Sequence, residues 1–416
     1  MIPNHTRDST RSFNEAMAQL RRWVHHEPGH EAWVALCQAL HAMDGQGLQI
    51  GLDYAQRHLI DWPIKHMRYD LPHTRFTAPP PPWFPLVSTL GARGRCIGTS
   101  AIRALMASAL MTSIRGLDLG SNAIGHEGLK VLTSYTALAS LVYLDLSRNA
   151  INNDGAQLLA SSPHLAHLEH LDLSINTIEE QGAQALAASR HLIHLRHLDL
   201  SQNAIRDTGV RSLAFSPQLT GLQTLNLNDN MLRDTGARDL AASPYLTQLQ
   251  HLGLNQNAIG SSGAAALAAS PSLTSLTSLH LVANQINSAG IEALASSPHL
   301  VHLEHLDLST NSIGDTGLIA LATHAPLTSL RHLGLTDTMA SHRGAAALVS
   351  HPGLSRLEHL DLSHNQLSDT TAIALAHNPQ LASLRHLDLA FNAIQHAGTQ
   401  ALAHCPHLTQ LTHLNL

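Results

Sequence analysis

The sequence predicts an α/β solenoid: a parallel sheet lining a concave face, helices on the convex side, and a small α-helical domain ahead of both. Three observations predict it. One block of sequence recurs every 27 residues along most of the chain. Within each block the apolar spacing changes from strand-like to helix-like. The first 82 residues carry no copy of the block.

The repeat is read by aligning Asn122, Asn149, Asn176, Asn203, Asn230, Asn257, Asn284, Asn311, Asn365 and Asn392, with Thr338 at the one interrupted position. Five residues before each point stands a Leu, from Leu117 to Leu387, and three before stands another, from Leu119 to Leu389. A Leu follows ten residues later, and a Gly six later except at Thr371. Leu414 and Leu416 open one more copy. A typical unit runs from Leu168 to Leu192.

Each column has a physical task. The L-x-L portion alternates with period two and makes a short strand whose Leu side chains are buried. The Asn leaves the strand, where its amide can satisfy backbone groups of its own and adjacent turns. Polar residues such as Asp207, Asp234 and Asp315 suit a helix N-terminus. The G-A-x-A-L-A stretch is rich in helix formers, and its small residues let helices lie close. Ser-Pro pairs such as Ser162-Pro163, Ser216-Pro217 and Ser243-Pro244 end the helix, because Pro disfavours helical backbone in the residue before it. Strands stack ~4.8 Å apart while helices need ~8–10 Å, and this mismatch bends such an array into a horseshoe.

These residues resemble the ribonuclease-inhibitor-like leucine-rich repeats, and the G-A-x-A-L-A helix resembles the GALA-type repeats of bacterial proteins. The resemblance spans about residues 87–416. It implies a bacterial protein-binding scaffold, since that class serves inhibitors, receptors, GTPase activators and secreted effectors. No binding residue is carried over, because the uniform 27-residue step lacks the alternating, Cys-containing repeat of the ribonuclease inhibitor.

The two ends differ from the body. Residues 83–110 read as a degenerate capping repeat, with Arg95 in the Asn column and Val87, Leu90, Ile97 and Leu105 keeping the apolar columns. Residues 111–416 are the repeat domain, ending on LTHLNL inside an uncapped strand that offers an edge for self-association. Before them, Ser12-Phe13-Asn14-Glu15 has the form of a capping box, opening a helix with Phe13, Met17, Leu20 and Val24 on one face. A second helix follows Pro28, with Trp33, Leu36, Leu40 and Met43, and a third runs from about Leu48 to Trp62. Residues 63–82 read as a Pro-rich connector holding Lys65, His66, Arg68, His73, Arg75 and Pro79 to Pro82. Residues 1–82 are then either a cap on the solenoid or a separate partner-binding module.

Composition narrows the function. A net charge of −6 gives no basic face for nucleic acid. No apolar run approaches the ~20 residues of a membrane span. Cys37, Cys96 and Cys405 form neither a disulfide framework nor a metal motif. With no Sec-type signal, the expected location is the cytoplasm, or outside the cell by another route. No nucleophile elbow, phosphate loop or metalloprotease motif is present, so the chain reads as a binding protein without cofactor or metal, not an enzyme.

The candidate site is the sheet face. One column holds His170, His197, His251, His305, His332, His359, His386 and His413, and the column two residues on holds Asp118, Asp145, Asp172, Asp199, Asp307, Asp361 and Asp388. Residues two apart on a strand share a face, so a ladder of His stands beside a ladder of Asp. Three readings stay open: repeated consensus with solvated charges, a surface for a polar protein partner, or metal capture by neighbouring imidazoles. The pattern breaks at Thr224, Asn226, Asn228 and Asp229, then at Gly253, Asn255 and Gln256, then at Ser278, His280, Val282 and Ala283, where a partner-specific patch is expected. Tyr143 and Phe391 are the aromatics of these columns, and aromatics anchor interfaces. The alternative is a host-directed effector whose N-terminal helices recruit or carry an activity such as ubiquitin transfer. A third possibility is a proton-responsive His array, since protonating all 32 His would move the formal charge from −6 to +26.

Overall fold

The computed structural model describes residues 4–43, 45–71, 81, 84–323 and 328–416. It contains two compact units, Met1–Ala150 with Ser162–Asp172, and Ile151–Ser161 with Leu173–Leu416.

The first unit opens with helices α1 (Asn4–Val24), α2 (His30–His41) and α3 (Gly45–His58). Met17, Leu20 and Val24 are buried, as are Trp33, Leu36, Leu40 and Met43, matching the apolar stripes. Two boundaries move. Helix α1 begins at Asn4, so the capping box at Ser12 lies inside it; neither Gly nor Pro stands between Asn4 and Val24 to halt the helix. Helix α3 covers Gly45–His58 rather than reaching Trp62, although Leu59 and Trp62 are still buried.

Five strands complete this unit: β1 (Arg68–Asp70), β2 (Thr89–Gly91), β3 (Gly116–Asp118), β4 (Tyr143–Asp145) and β5 (His170–Asp172). Helix α4 (Thr99–Met106) follows β2, and α5 (Gly125–Thr133) follows β3. The strands pair in parallel and in chain order, aligning Tyr69, Leu90, Leu117, Leu144 and Leu171. Strand β1 falls in the segment read as a connector. Its residues, Arg-Tyr-Asp, have no apolar alternation to announce a strand, and it forms by pairing with β2. The Trp33 indole N–H donates to the Arg68 carbonyl at 2.6 Å, so α2 covers the outer edge of the sheet. His73, Arg75, Pro79, Pro80 and Pro82 lie outside the described residues.

The second unit repeats one pattern. Its strands are β6 (His197–Asp199), β7 (Thr224–Asn226), β8 (His251–Gly253), β9 (Ser278–His280), β10 (His305–Asp307), β11 (His332–Gly334), β12 (His359–Asp361), β13 (His386–Asp388) and β14 (His413–Asn415). Its helices are α6 (Asn153–Ser161), α7 (Glu180–Ala187), α8 (Arg206–Ala214), α9 (Asp234–Ala241), α10 (Ser261–Ala268), α11 (Ser288–Ala295), α12 (Gly314–Thr323), α13 (His342–Val349), α14 (Asp369–His377) and α15 (His396–Ala403). All these strands run parallel in chain order. From Leu198 to Leu389 the L-x-L leucines are at most 2% exposed, and they form the core between sheet and helices.

The Asn column stitches successive turns together. The Asn230 amide donates to Leu200 O at 2.9 Å and Asn228 O at 3.1 Å, while its oxygen accepts from Ile205 N at 3.2 Å. Thr338 does part of this work: its hydroxyl donates to Leu335 O at 3.1 Å, and Ile313 N turns instead to Asn311 O at 2.9 Å. The Asp column differs from the expectation of self-capping. Asp234 sits in the first turn of α9, yet its carboxylate accepts from Gly260 N at 2.7 Å and Gly263 N at 2.9 Å, capping the next helix, α10. Asp315 likewise accepts from Ser341 N at 2.7 Å and Gly344 N at 3.1 Å. The Gly column follows: a Cβ at Gly236, Gly263 or Gly344 would stand 2.6–2.7 Å from the preceding repeat's Asp oxygen. Thr371, the exception, follows a repeat with His342 in place of that Asp.

Candidate functional site

Strands β6 to β13 bury their central Leu, whereas Leu414 of β14 is 42% exposed; the first and third residues of each strand share the opposite face of the sheet, so the register brings like columns together. His305, His332, His359, His386 and His413 are direct neighbours across β10 to β14. Their rings stack nearly parallel, with centroids 4.0, 4.0, 4.1 and 4.2 Å apart. Beside them stand Asp307, Asp361 and Asp388, with His280 at one end, and together they line a groove of about 750 Å³.

Burial and mutual repulsion disfavour charge on His305, His332 and His359. His332 is pushed down to about 4, first by burial and then by His305 and His359 on either side. Burial also lowers His305, His359 and His280. The Nδ1 atoms of His332 and His359 are buried without a hydrogen-bond partner among the described residues, which suits neutral rings better than charged ones. Asp388 uses both oxygens, accepting from Ala390 N at 2.9 Å and Asn415 Nδ2 at 3.0 Å, whereas Asp307 and Asp361 are half committed. Asp361 Oδ1 accepts from Ser363 N at 2.9 Å and Ser363 Oγ at 2.7 Å, and Asp307 Oδ1 accepts from Ser309 N at 3.1 Å and Ser309 Oγ at 2.7 Å. Face-to-face stacking keeps the ring nitrogens parallel, and among the described residues no three His, Cys, Asp or Glu converge to hold a metal ion.

The other candidate residues are placed elsewhere. Tyr143 and His170 belong to the first unit and stack on each other at 4.6 Å. The His197 ring bonds Thr224 Oγ1 at 2.9 Å. Asn226 donates to Asp199 at 2.8 Å, and Asn228 accepts from Asn255 N at 2.7 Å. These departures from the His and Asp columns thus hold rung to rung. His251 on β8 is exposed, as are Asp229 and Gln256 in the turns that follow β7 and β8. The residue before each column Asn adopts left-handed backbone, including Asp229, Gln256 and Phe391. Phe391 is 75% exposed and stacks on His364 at 4.1 Å.

In the first unit the Asp column is closed at Asp118 and Asp145. Asp118 and Asp145 are 2% and 3% exposed. Arg68 reaches Asp118 at 2.6 Å, and Arg93 contacts both Asp118, at 3.3 Å, and Asp145. Sequence reading missed the pairing of these two arginines with the Asp column, because neither lies in a repeat column that announces its partner. The signal available was the glycine opposite each: a Cβ at Gly91 or Gly120 would strike the Arg68 or Arg93 guanidinium at about 2.5 Å.

Comparison with known proteins agrees with this architecture. The family model described as Leucine Rich repeat matches residues 111–132, 137–160, 164–187, 191–214, 218–241, 245–268, 272–295, 299–322, 355–376 and 380–403. The chain belongs to the leucine-rich-repeat family. The repeat around Thr338 is not among the matched segments. Similar solved structures include an internalin from Listeria monocytogenes, 22% identical over 76% of this chain and 94% of that one, with a TM-score of 0.44. A leucine-rich-repeat protein of Leptospira interrogans is 19% identical over 82% and 81%, with a TM-score of 0.44. The ectodomain of a plant membrane receptor kinase from Arabidopsis thaliana, solved in complex with Casparian strip integrity factor 2, is 18% identical with a TM-score of 0.40. That alignment covers 81% of this chain and 42% of the receptor. No curated protein matches. Among the described residues no helix is long and apolar enough to cross a membrane.

Proposed function

We propose that the chain is a protein-binding scaffold whose contact surface is the His and Asp face of the second unit. The observation that carries this reading is the groove over β10 to β14, about 750 Å³ in volume and lined by side chains that stand in register from rung to rung. A polypeptide laid across the strands meets an imidazole edge and a carboxylate or amide at most rungs, ~4.8 Å apart. The exposed Phe391 adds an apolar anchor on a neighbouring turn. Such a repeated strip suits an extended partner better than a reaction centre, which needs one pocket with distinct roles. On this reading residues 1–82 cap the array, residues 83–110 form its first repeat, and residues 111–416 are the binding body. The effector alternative has no observation in its favour, since α1 to α3 pack in one compact unit with β1 to β5.

The test is site-specific photo-crosslinking in the full chain. A benzophenone amino acid replaces His386 or Phe391 on the groove side, or Gln400 on the exposed face of α15. Protein adducts formed from the first two positions and absent from the third support the reading. Equal adducts from all three, or adducts from Gln400 alone, sink it.

A further inference from the structure

The first unit shows what fills an Asp–Gly–Asp row on this sheet. Strands β1, β2 and β3 place Asp70, Gly91 and Asp118 side by side. The Arg68 guanidinium lies over Gly91 and bridges the flanking carboxylates, Nε donating to Asp70 Oδ1 and Nη1 to Asp118 Oδ2, each at 2.6 Å. The glycine makes the room: a Cβ there would stand 2.5 Å from Arg68 Nη2 and 1.9 Å from Asp70 Oδ1. Asp118 divides its oxygens, Oδ1 accepting from Gly120 N at 2.9 Å and Oδ2 taking the guanidinium.

The second unit builds the same row without an arginine of its own. Strands β10, β11 and β12 place Asp307, Gly334 and Asp361 side by side. A Cβ on Gly334 would stand 2.3 Å from Asp307 Oδ1, so here too the middle rung is a gap with a carboxylate leaning over it. Asp361 divides its oxygens as Asp118 does. Its Oδ1 accepts from Ser363 N and Oγ, and no hydrogen bond or ion pair from the described residues reaches its Oδ2 or that of Asp307. Arg331 and Arg385, from the same stretch of repeats, are engaged by Glu304 and Glu358. All three residues of the row line the groove, and the flanking His332 and His359 carry depressed basicity from burial. Two carboxyl groups flank the gap, and among the described residues no cation is paired with either.

We propose that Asp307, Gly334 and Asp361 form a subsite for a guanidinium group, taking an arginine side chain of the bound protein. This rests on the scaffold reading and names one contact within it. A planar guanidinium presents donors in two directions and bridges two carboxylates across an empty rung, as Arg68 does. A lysine ammonium is a point charge and satisfies one side at a time.

The probe is N-acetyl-arginine amide titrated into the full-length protein, followed by amide chemical shifts. Shifts centred on Gly334 and its neighbours are expected. Neutral N-acetyl-citrulline amide, the same shape without the charge, should bind at least about tenfold more weakly, and N-acetyl-lysine amide several-fold more weakly. Asp361→Asn and Gly334→Ala should each lower the arginine affinity by about tenfold. Equal binding of citrulline or lysine, shifts mapping away from Gly334, or unchanged affinity in both variants would overturn the subsite. Crosslinks from the groove without arginine binding defeat this inference alone. Arginine binding at Gly334 with partner crosslinks only from Gln400 defeats the scaffold reading alone.

Discussion

The imidazoles of His332 and His359 lie nearly parallel, 4.0 Å apart, and neither Nδ1 has a hydrogen-bond partner among the described residues. Protonating either ring places a charge against a stacked neighbour. The groups facing the stack are His280, His305, His386 and His413 along it, Asp307, Asp361 and Asp388 beside it, and Glu304, Glu358, Arg331 and Arg385 at its rim. Burial and the neighbouring imidazoles outweigh the glutamates, so the folded state binds protons more weakly than the unfolded chain. Stability is then complete above the unfolded value of ~6.5, falls as pH drops towards the folded value of about 4 for His332, and levels off below it. Melting temperature followed from pH 7.5 to 4 should show this fall. Replacing His305, His332, His359 and His386 by Gln should flatten it, and an unaltered profile would leave the stack without a role in pH response.

Asn365 is the most heavily used of the column amides around the Thr338 repeat. Its oxygen accepts from Thr338 N, Thr338 Oγ1 and Ala340 N, and its amide donates to Leu335 O, Leu362 O and Ser363 O. Asn365→Ala strands several buried backbone groups at once. A loss on the order of 3–5 kcal/mol is expected, since each buried unsatisfied group costs ~1–3 kcal/mol. Urea unfolding measures it, and a loss below about 1 kcal/mol would show that neighbouring turns satisfy themselves.

Arg93 is the ion-pair partner of a nearly buried Asp145, while Asp118 also has Arg68. Arg93→Met should destabilise by about 2 kcal/mol, below the ~3–5 kcal/mol of a fully buried pair because the Arg93 side chain is 41% exposed. Adding Asp145→Asn removes the stranded charge and should recover part of the loss. A double variant less stable than the single would show that packing, not charge, is the main contribution of Arg93.

Thr310 is a β-branched residue held in left-handed backbone at φ 56°, exposed, with its side chain free of the core. That conformation costs an L-residue about 1–2 kcal/mol, and Asn tolerates it better. Thr310→Asn should therefore raise stability by about 0.5–1 kcal/mol. A lower melting temperature in the variant would contradict this account.

Thr338 and Ala340 stand where the other repeats carry Asn and Ile or Leu. Thr338 and Ala340 are fully buried, so the described part of that rung closes around its smaller side chains, while residues 324–327, Pro326 among them, lie outside the described residues.

The sequence by itself determined the period, the strand and helix of each repeat, the buried L-x-L leucines and the amide ladder. Each of these depends on residues at fixed separations within one or two repeats, and the 27-residue step displays those separations directly. It also placed His beside His, because parallel in-register strands turn a sequence column into a spatial row. Tertiary structure decided what no column encodes. Strand β1 exists because β2 offers it an edge, and its own three residues carry no alternation. The Asp residues cap the following helix because packing brings that helix's N-terminus within 2.7–2.9 Å of Asp234. Arg68 and Arg93 close one set of carboxylates, whereas Asp307 and Asp361 keep an oxygen open, a contrast invisible in a column where all read as Asp. A carboxylate's availability depends on which cation the fold carries to it, and that is settled by side-chain reach in three dimensions.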